Sequence, residues 1–171
     1  MHVTEFHPQF FTATILEWKK LLQPDKYKTI VTESLSYLVK ENRVTINAFV
    51  IMDNHLHLIW QAINGHTPQQ IQHSFLKYTA QKIKFDLEKH HPDVLKHFKV
   101  DAADRTYQIW ERNALSIDLY TEEVFFQKLD YLHYNPVEAG LCLNIEDYHF
   151  SSAKFYAKGI DDFGFLTHWR Q

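Results

Sequence analysis

The hydrophobic pattern of the chain alternates between strand-like and helix-like segments. Short runs of β-branched and aromatic residues predict five strands, which cover residues 10–16, the two halves of 44–60, 107–110 and 115–119. Apolar residues at helical spacing predict three helices, which cover residues 24–42, 67–91 and 121–134. The third helix is expected to stop at Asn135-Pro136, because proline removes a helix hydrogen bond and restricts the residue before it. We expect 92–105 to be irregular or briefly helical, and 161–166 to add an edge element.

The order of these elements predicts the fold class. The order β-α-β-β-α-β, followed by a further helix, is typical of a split βαβ, ferredoxin-like α+β sandwich. We therefore expect an antiparallel sheet with helices packed mainly on one face. The 171 residues, 45% of them hydrophobic, are enough for one substantial core, so one domain over 1–171 is expected.

Composition narrows the classes of protein that remain. No apolar run approaches the roughly 20 residues of a membrane span, and the N-terminus shows no signal-peptide pattern. We therefore expect a cytoplasmic protein with no membrane partner. The lone Cys142 excludes an internal disulfide and an intramolecular cysteine-based metal site.

Charge is unevenly distributed along the chain. The formal net charge of −3 argues against a strongly basic nucleic-acid binder. Residues 71–99 nevertheless hold six lysines against three acidic residues, whereas 101–147 hold three basic against ten acidic residues. A nucleic acid would therefore approach over the second predicted helix, and a solvated helix face is an equally good interpretation of those charges. The candidate DNA contacts are Lys77, Lys82, Lys84, Lys89 and Arg112.

The candidate chemistry begins with two histidines on a predicted core strand. His55 and His57 flank Leu56 within the apolar run 48–60. Residues two apart on a strand point to the same face, so both imidazoles should project side by side. Buried polar rings need partners, and a divalent metal or ordinary hydrogen bonds would each satisfy them.

The third predicted helix presents a second pair of polar groups. Tyr131 and Asn135 are four residues apart, so a phenol and an amide share one helix face. Asn before Pro is also a common helix terminator, and the tyrosine could be an ordinary amphipathic position.

Taken together, these segments resemble the HUH single-tyrosine transposases, in particular the REP-associated tyrosine transposases and their insertion-sequence relatives. The resemblance rests on three stretches, NAFVIMDNHLHLIW at 47–60, IWER at 109–112 and DYLHYNPVEAGL at 130–141. It implies that His55, His57 and Asn135 hold a divalent metal, Mg²⁺ or Mn²⁺, and that Tyr131 is the nucleophile. The chain departs from the family at 113–118, where many relatives carry an aromatic-His-x-x-Arg segment.

The resemblance implies a metal-dependent single-stranded DNA endonuclease and strand transferase. It would act at DNA hairpins through a 5′-phosphotyrosine intermediate, as a monomer or a homodimer. Three alternatives stay open: a domesticated hairpin-binding module without strand transfer, a hydrolase that uses the histidines directly, and a structural protein with core histidines. A Tyr131→Phe change distinguishes the transposase from the binding module.

Overall fold

The computed structural model describes residues 5–170 and shows an α+β fold with one antiparallel sheet. The strands are β1 (Gln9–Thr14), β2 (Val44–Ile51), β3 (His55–Ala62) and β4 (Leu115–Asp118). The helices are α1 (Asp25–Lys40), α2 (Pro68–His90), α3 (Pro92–Leu95), α4 (Glu122–Glu138) and α5 (Ala153–Lys158). None of the helices in this part of the chain has the length and apolar character that crossing a membrane requires.

The strand order β2-β3-β1-β4 is that of a split βαβ unit. β1 lies between β3 and β4 and is antiparallel to both, while β2 and β3 form a hairpin. Helices α1 and α2 are the two crossovers, as they follow β1 and β3 in the chain. The predicted ferredoxin-like fold class is confirmed.

The two faces of the sheet have different cores. Alternate strand residues such as Phe11, Leu56 and Leu58 form the main core, against the apolar sides of α1 and α2. The opposite face carries a smaller cluster beneath α4, which we call the α4 cluster. Its members are Phe10, Ala48, Val50, Met52, Ile59, Leu119, Leu129 and Leu132. Two of the three long helices thus share one face, and the Tyr131 helix covers the other.

A β-bulge at Asn47 keeps β2 in register with these two cores. Ile46 pairs with Trp60 and Ala48 with Ile59, so Asn47 is the extra residue. Without the bulge, the residues after it would turn to the wrong face. Tyr156 on α5 donates a hydrogen bond to the Asn47 carbonyl at 2.8 Å, which ties the C-terminal region to the bulge.

The predicted strand at 107–110 is wrong. Tyr107 and Trp110 each form one isolated bridge, to Lys99 and Ile15, and no ladder develops between them. Trp110 is instead fixed by its side chain, because its indole donates to the Thr79 hydroxyl of α2 at 3.0 Å. The expected edge element at 161–166 is reduced to a single parallel bridge between Ile46 and Leu166.

The predicted stop of the third helix at Asn135-Pro136 is also wrong, because α4 continues to Glu138 with Pro136 inside it. Proline removes only one donor, and the next turn is closed by the Ala139 amide, which donates to the Asn135 carbonyl at 3.0 Å. Pro136 is buried, and its packing helps to stabilise the last turn of α4. The helix ends in a Schellman motif at Gly140, whose φ of +76° favours glycine.

Candidate active site

The two histidines project from the sheet face that α4 covers. His55 pairs with Thr14 and His57 with Thr12 across the β1–β3 ladder, and Leu56 points into the main core. The two imidazole centroids are 4.9 Å apart. The strand periodicity thus places both rings side by side, as the sequence predicted.

Hydrogen bonds at Nδ1 orient both rings in the same way. Nδ1 of His55 lies 2.7 Å from Oδ1 of Asn54, and Nδ1 of His57 lies 2.7 Å from the Thr12 hydroxyl. Because an amide oxygen only accepts, Nδ1 of His55 carries the proton and its Nε2 has a free lone pair. Holding a histidine by one nitrogen while the other faces a site is the usual way in which proteins prepare a metal ligand.

The second nitrogen of His57 has no partner. His57 is 5% exposed, and its Nε2 is a buried side-chain atom without a hydrogen bond among residues 5–170. A buried polar atom left unpaired costs about 1–3 kcal/mol. Nε2 of His57 is therefore available to bind a group from outside the chain.

Both histidines are held in the neutral form. Burial, the neighbouring His55 and the Lys128 ammonium lower the pKa of His57 to about 3. Burial also lowers the pKa of His55, and a hydrogen bond with Asn135 partly offsets that shift. Neutral imidazole is the form that binds metal, so neither ring has to lose a proton first near neutral pH.

Helix α4 brings Tyr131 against the histidines. Thr121 caps the helix by accepting a hydrogen bond from the Val124 amide at 3.2 Å, and Leu129 and Leu132 bury its inner side. The Tyr131 ring centroid lies 5.4 Å from that of His57, yet the residue remains 50% exposed. The phenol is therefore beside the imidazoles and open to solvent.

A buried polar contact fixes the depth of α4 on the sheet. Nε2 of His133 lies 2.7 Å from the Ser152 hydroxyl, and that hydroxyl accepts from the Phe49 amide of β2 at 3.0 Å. Burial lowers the pKa of His133 to about 4, so this ring stays neutral as well. The contact links α4 to β2, the strand next to β3.

Asn135 lies one turn beyond Tyr131, at the His55 end of the pair. Its side chain is close enough to His55 to raise the pKa of that imidazole, against the larger effect of burial. The structure thus brings His55, His57, Tyr131 and Asn135 together within one chain. Among the described residues no cluster of three or more His, Cys, Asp or Glu side chains could hold a metal.

Lys128 supplies the positive charge at this site. Its ammonium lies 5.1 Å from the Phe10 ring centroid and 5.8 Å from that of Tyr131. It makes no salt bridge within residues 5–170, and its charge helps to lower the pKa of His57. Lys128 therefore places an unpaired cation beside the Tyr131 ring.

This arrangement of strands and helices is similar to that of solved protein structures. A REP-associated tyrosine transposase bound to a REP hairpin is similar over 98% of this chain and 89% of that chain, with a TM-score of 0.65 and 18% sequence identity. The two proteins share a fold. A candidate transposase from Deinococcus radiodurans R1 is similar over 76% of this chain and 90% of that chain, with a TM-score of 0.47 and 13% identity. No protein-family model and no curated protein matches the sequence.

The predicted DNA contacts lie on the sheet face opposite the histidines. Lys77 and Lys84 of α2 share a groove of about 660 Å³ with Arg112. Two of these charges are partly neutralised, as Arg112 pairs with Asp104 at 2.7 Å and Lys84 lies 3.9 Å from Glu88. Lys82 and Lys89 are exposed on α2 outside this groove. The structure therefore brings three of the five predicted contacts together, away from Tyr131.

Several residues around the histidines were missed by the sequence analysis. Thr12, Asn54 and Lys128 orient or charge the site, and Trp18 lies with its ring centroid 5.9 Å from that of His55. Asn54 and Lys128 could have been suspected, because Asn54 directly precedes His55 and Lys128 lies three residues before Tyr131 on the same predicted helix. The others become neighbours of the histidines through strand pairing and helix docking.

Proposed function

We propose that this protein is a metal-dependent single-stranded DNA endonuclease and strand transferase, with Tyr131 as its nucleophile. The observation that carries this proposal is the half-exposed Tyr131 ring 5.4 Å from His57, whose buried Nε2 has no partner. The fold shared with a hairpin-bound tyrosine transposase supports the same function.

The donor atoms suit a divalent cation. We infer that Nε2 of His55, Nε2 of His57 and the amide oxygen of Asn135 would hold Mg²⁺ or Mn²⁺, because mixed nitrogen and oxygen ligands accept both. The unpaired Nε2 of His57 is the observation that fits this role. A bound cation would act as a Lewis acid on the phosphate and leave positions open for its oxygens.

The chain itself supplies the nucleophile and a cation beside it. The Tyr131 hydroxyl oxygen attacks the phosphorus, the bond to the 3′ oxygen breaks, and the phenolic proton passes to that leaving oxygen. The products are a 5′-phosphotyrosine and a free 3′-hydroxyl, so a 3′-hydroxyl can reverse the step without ATP. Lys128, whose ammonium lies 5.8 Å from the Tyr131 ring centroid, would stabilise negative charge that develops during the attack.

The proposed substrate is an unpaired DNA strand next to a hairpin. A half-exposed phenol can reach a backbone that passes over the surface. The groove with Lys77, Lys84 and Arg112 would contact the phosphates of the hairpin, at an affinity that falls as salt rises. Because Tyr131 meets the histidines of its own chain, the chemistry requires no second copy, and a homodimer stays a prediction.

Covalent capture tests this function. The protein is incubated with Mn²⁺ and single-stranded hairpins from the DNA that flanks its own gene, then run on denaturing gels and mapped by mass spectrometry. Tyr131→Phe removes the nucleophile. Tyr134→Phe is the matched control, because Tyr134 is 59% exposed on the same helix.

An adduct on Tyr131 in the wild type and in Tyr134→Phe, and none in Tyr131→Phe, is the expected result. Hairpin binding without an adduct would contradict strand transfer and leave the DNA-binding module as the function. An adduct that survives Tyr131→Phe would place the nucleophile elsewhere.

A further inference from the structure

An exposed tryptophan stands beside the histidine pair in an unusual backbone conformation. Trp18 is 62% exposed, and both Glu17 and Trp18 have positive φ values, of 55° and 57°. Non-glycine residues seldom adopt this left-handed conformation, least of all two in succession. Such conformations persist where the surrounding structure imposes them, and they are common at ligand sites.

Hydrogen bonds from three directions hold this turn. The Trp18 amide donates to the Ile15 carbonyl at 2.9 Å, and the Glu17 amide donates to the Glu111 carboxylate at 2.6 Å. The Asn54 side chain donates to the Trp18 carbonyl at 3.5 Å, while its oxygen accepts from His55. The same asparagine thus orients a histidine and contacts the tryptophan turn, which fixes the position of Trp18 relative to the site.

The turn lies between the basic groove and the histidines. Glu111, which holds one side of the turn, also lines the groove with Lys77 and Lys84. On the other side, the Trp18 ring centroid is 5.9 Å from that of His55, with the two planes inclined at 63°. A DNA strand that runs from the groove to Tyr131 around this end of the sheet would cross the indole.

An unpaired lysine lies close to the exposed ring in the sequence. Lys20 follows two residues later, is exposed, and makes no salt bridge within the described chain. Exposed aromatic rings combined with unpaired lysines are typical of surfaces that bind single strands, because bases stack on the rings and cations contact the phosphates.

We propose that Trp18 is a stacking platform for an unpaired nucleobase next to the phosphate that Tyr131 attacks. This inference rests on the proposed function and adds a residue that positions the substrate. Every base presents a π-face, so the platform accepts any base in the sequence and selects for strands whose bases are unpaired. Because the turn is already fixed, little conformational freedom is lost when a base stacks on it.

Equilibrium binding measures the contribution of the ring. The probe is a labelled oligothymidylate of about 15 nucleotides, long enough to cover a typical single-strand site, with Mn²⁺ present. We expect Trp18→Ala to weaken binding by about 5- to 150-fold, the range measured for one base stacked on an aromatic ring. Trp18→Phe should restore most of this loss, and Tyr37→Ala, a 53% exposed aromatic position on α1, should bind as the wild type does.

An abasic scan identifies the stacked base. Removing one thymine at a time should reveal a position that weakens binding to the wild type and has no further effect on Trp18→Ala. Calorimetry with Mn²⁺ alone should give the same affinity for Trp18→Ala and the wild type, since the ring is proposed to contact DNA and not to support His55.

Three results would overturn the assignment while the covalent adduct on Tyr131 still forms. The first is that Trp18→Ala and the wild type bind DNA with equal affinity. The second is an abasic scan in which no position loses its effect in Trp18→Ala. The third is that Trp18→Ala changes the mass measured by sedimentation and nothing else. The last result would assign the ring to a protein interface. A wild-type protein that neither binds the oligothymidylate nor forms an adduct overturns both this inference and the proposed function.

Discussion

Acidification should destabilise the metal-free protein through two buried histidines. His57 and His133 are 5% and 4% exposed, and their pKa values in the folded protein are about 3 and about 4. In the unfolded chain the pKa of each imidazole returns to about 6.5. The unfolded chain therefore takes up protons first as the pH falls. The stability that the neutral rings confer is fully present above pH 6.5 and is lost between about 6.5 and the folded values.

The size of the effect follows from these shifts. One pKa unit corresponds to about 1.4 kcal/mol, so between pH 7 and pH 5 each ring should lower the free energy of unfolding by about 2 kcal/mol. Two rings would remove about 4 kcal/mol, a large part of the 5–15 kcal/mol that is typical of native proteins.

Urea unfolding at pH 7 and pH 5, with a chelator present, measures this loss. His57→Gln and His133→Gln remove one titrating ring each, and each variant should lose about 2 kcal/mol less than the wild type. His73→Gln is the control, because His73 is exposed on α2. A wild type that loses less than about 1 kcal/mol, or variants with an unchanged loss, would refute the claim that burial holds these rings neutral.

Three further predictions concern the surroundings of the site. Thr12→Val removes the hydrogen bond to Nδ1 of His57 and should weaken Mn²⁺ binding by about 10- to 100-fold in calorimetry; Thr12→Ser should restore it. Lys128→Met removes the cation beside Tyr131 and should slow adduct formation by about 100-fold, with Mn²⁺ affinity retained; an unchanged rate would contradict its role. Gly140→Ala should lower the free energy of unfolding by about 1 kcal/mol in urea, because an added Cβ meets nothing within 4 Å and the cost is that of φ +76°.

Local patterns predicted the part of the site that a single element carries. The alternation of β3 placed His55 and His57 on one face, and the helical spacing of α4 placed Tyr131 and Asn135 one turn apart. The fold class followed from the order of elements, because the connections between successive strands leave few topologies.

Local rules failed where tertiary packing outweighed them. Pro136 was expected to end α4, but the helix continues through it to a glycine that provides a better C-terminus. The run 107–110 has strand-like residues, yet Trp110 is held by a hydrogen bond to Thr79. In both cases a contact with a distant part of the chain decided the local structure.

Two neighbours of the histidines, Thr12 and Trp18, were beyond sequence reasoning. Thr12 is 45 positions from His57 in the chain, and only the register of β1 against β3 brings its hydroxyl to the imidazole. Trp18 reaches His55 through two left-handed residues that no local pattern marks. Neither the strand pattern around Thr12 nor the sequence around Trp18 indicates that these residues contact the histidines.

The separate α4 cluster divides the scaffold into two layers that can evolve independently. The histidine strand is anchored in the main core by Leu56 and Leu58, whereas α4 rests on a small set of side chains that includes Leu129 and Leu132. Substitutions that change the size of Leu129 or Leu132 would move the Tyr131 phenol along the sheet without disturbing the larger main core. Selection can thus adjust the position of Tyr131, the proposed nucleophile, while the stability of the scaffold is set elsewhere.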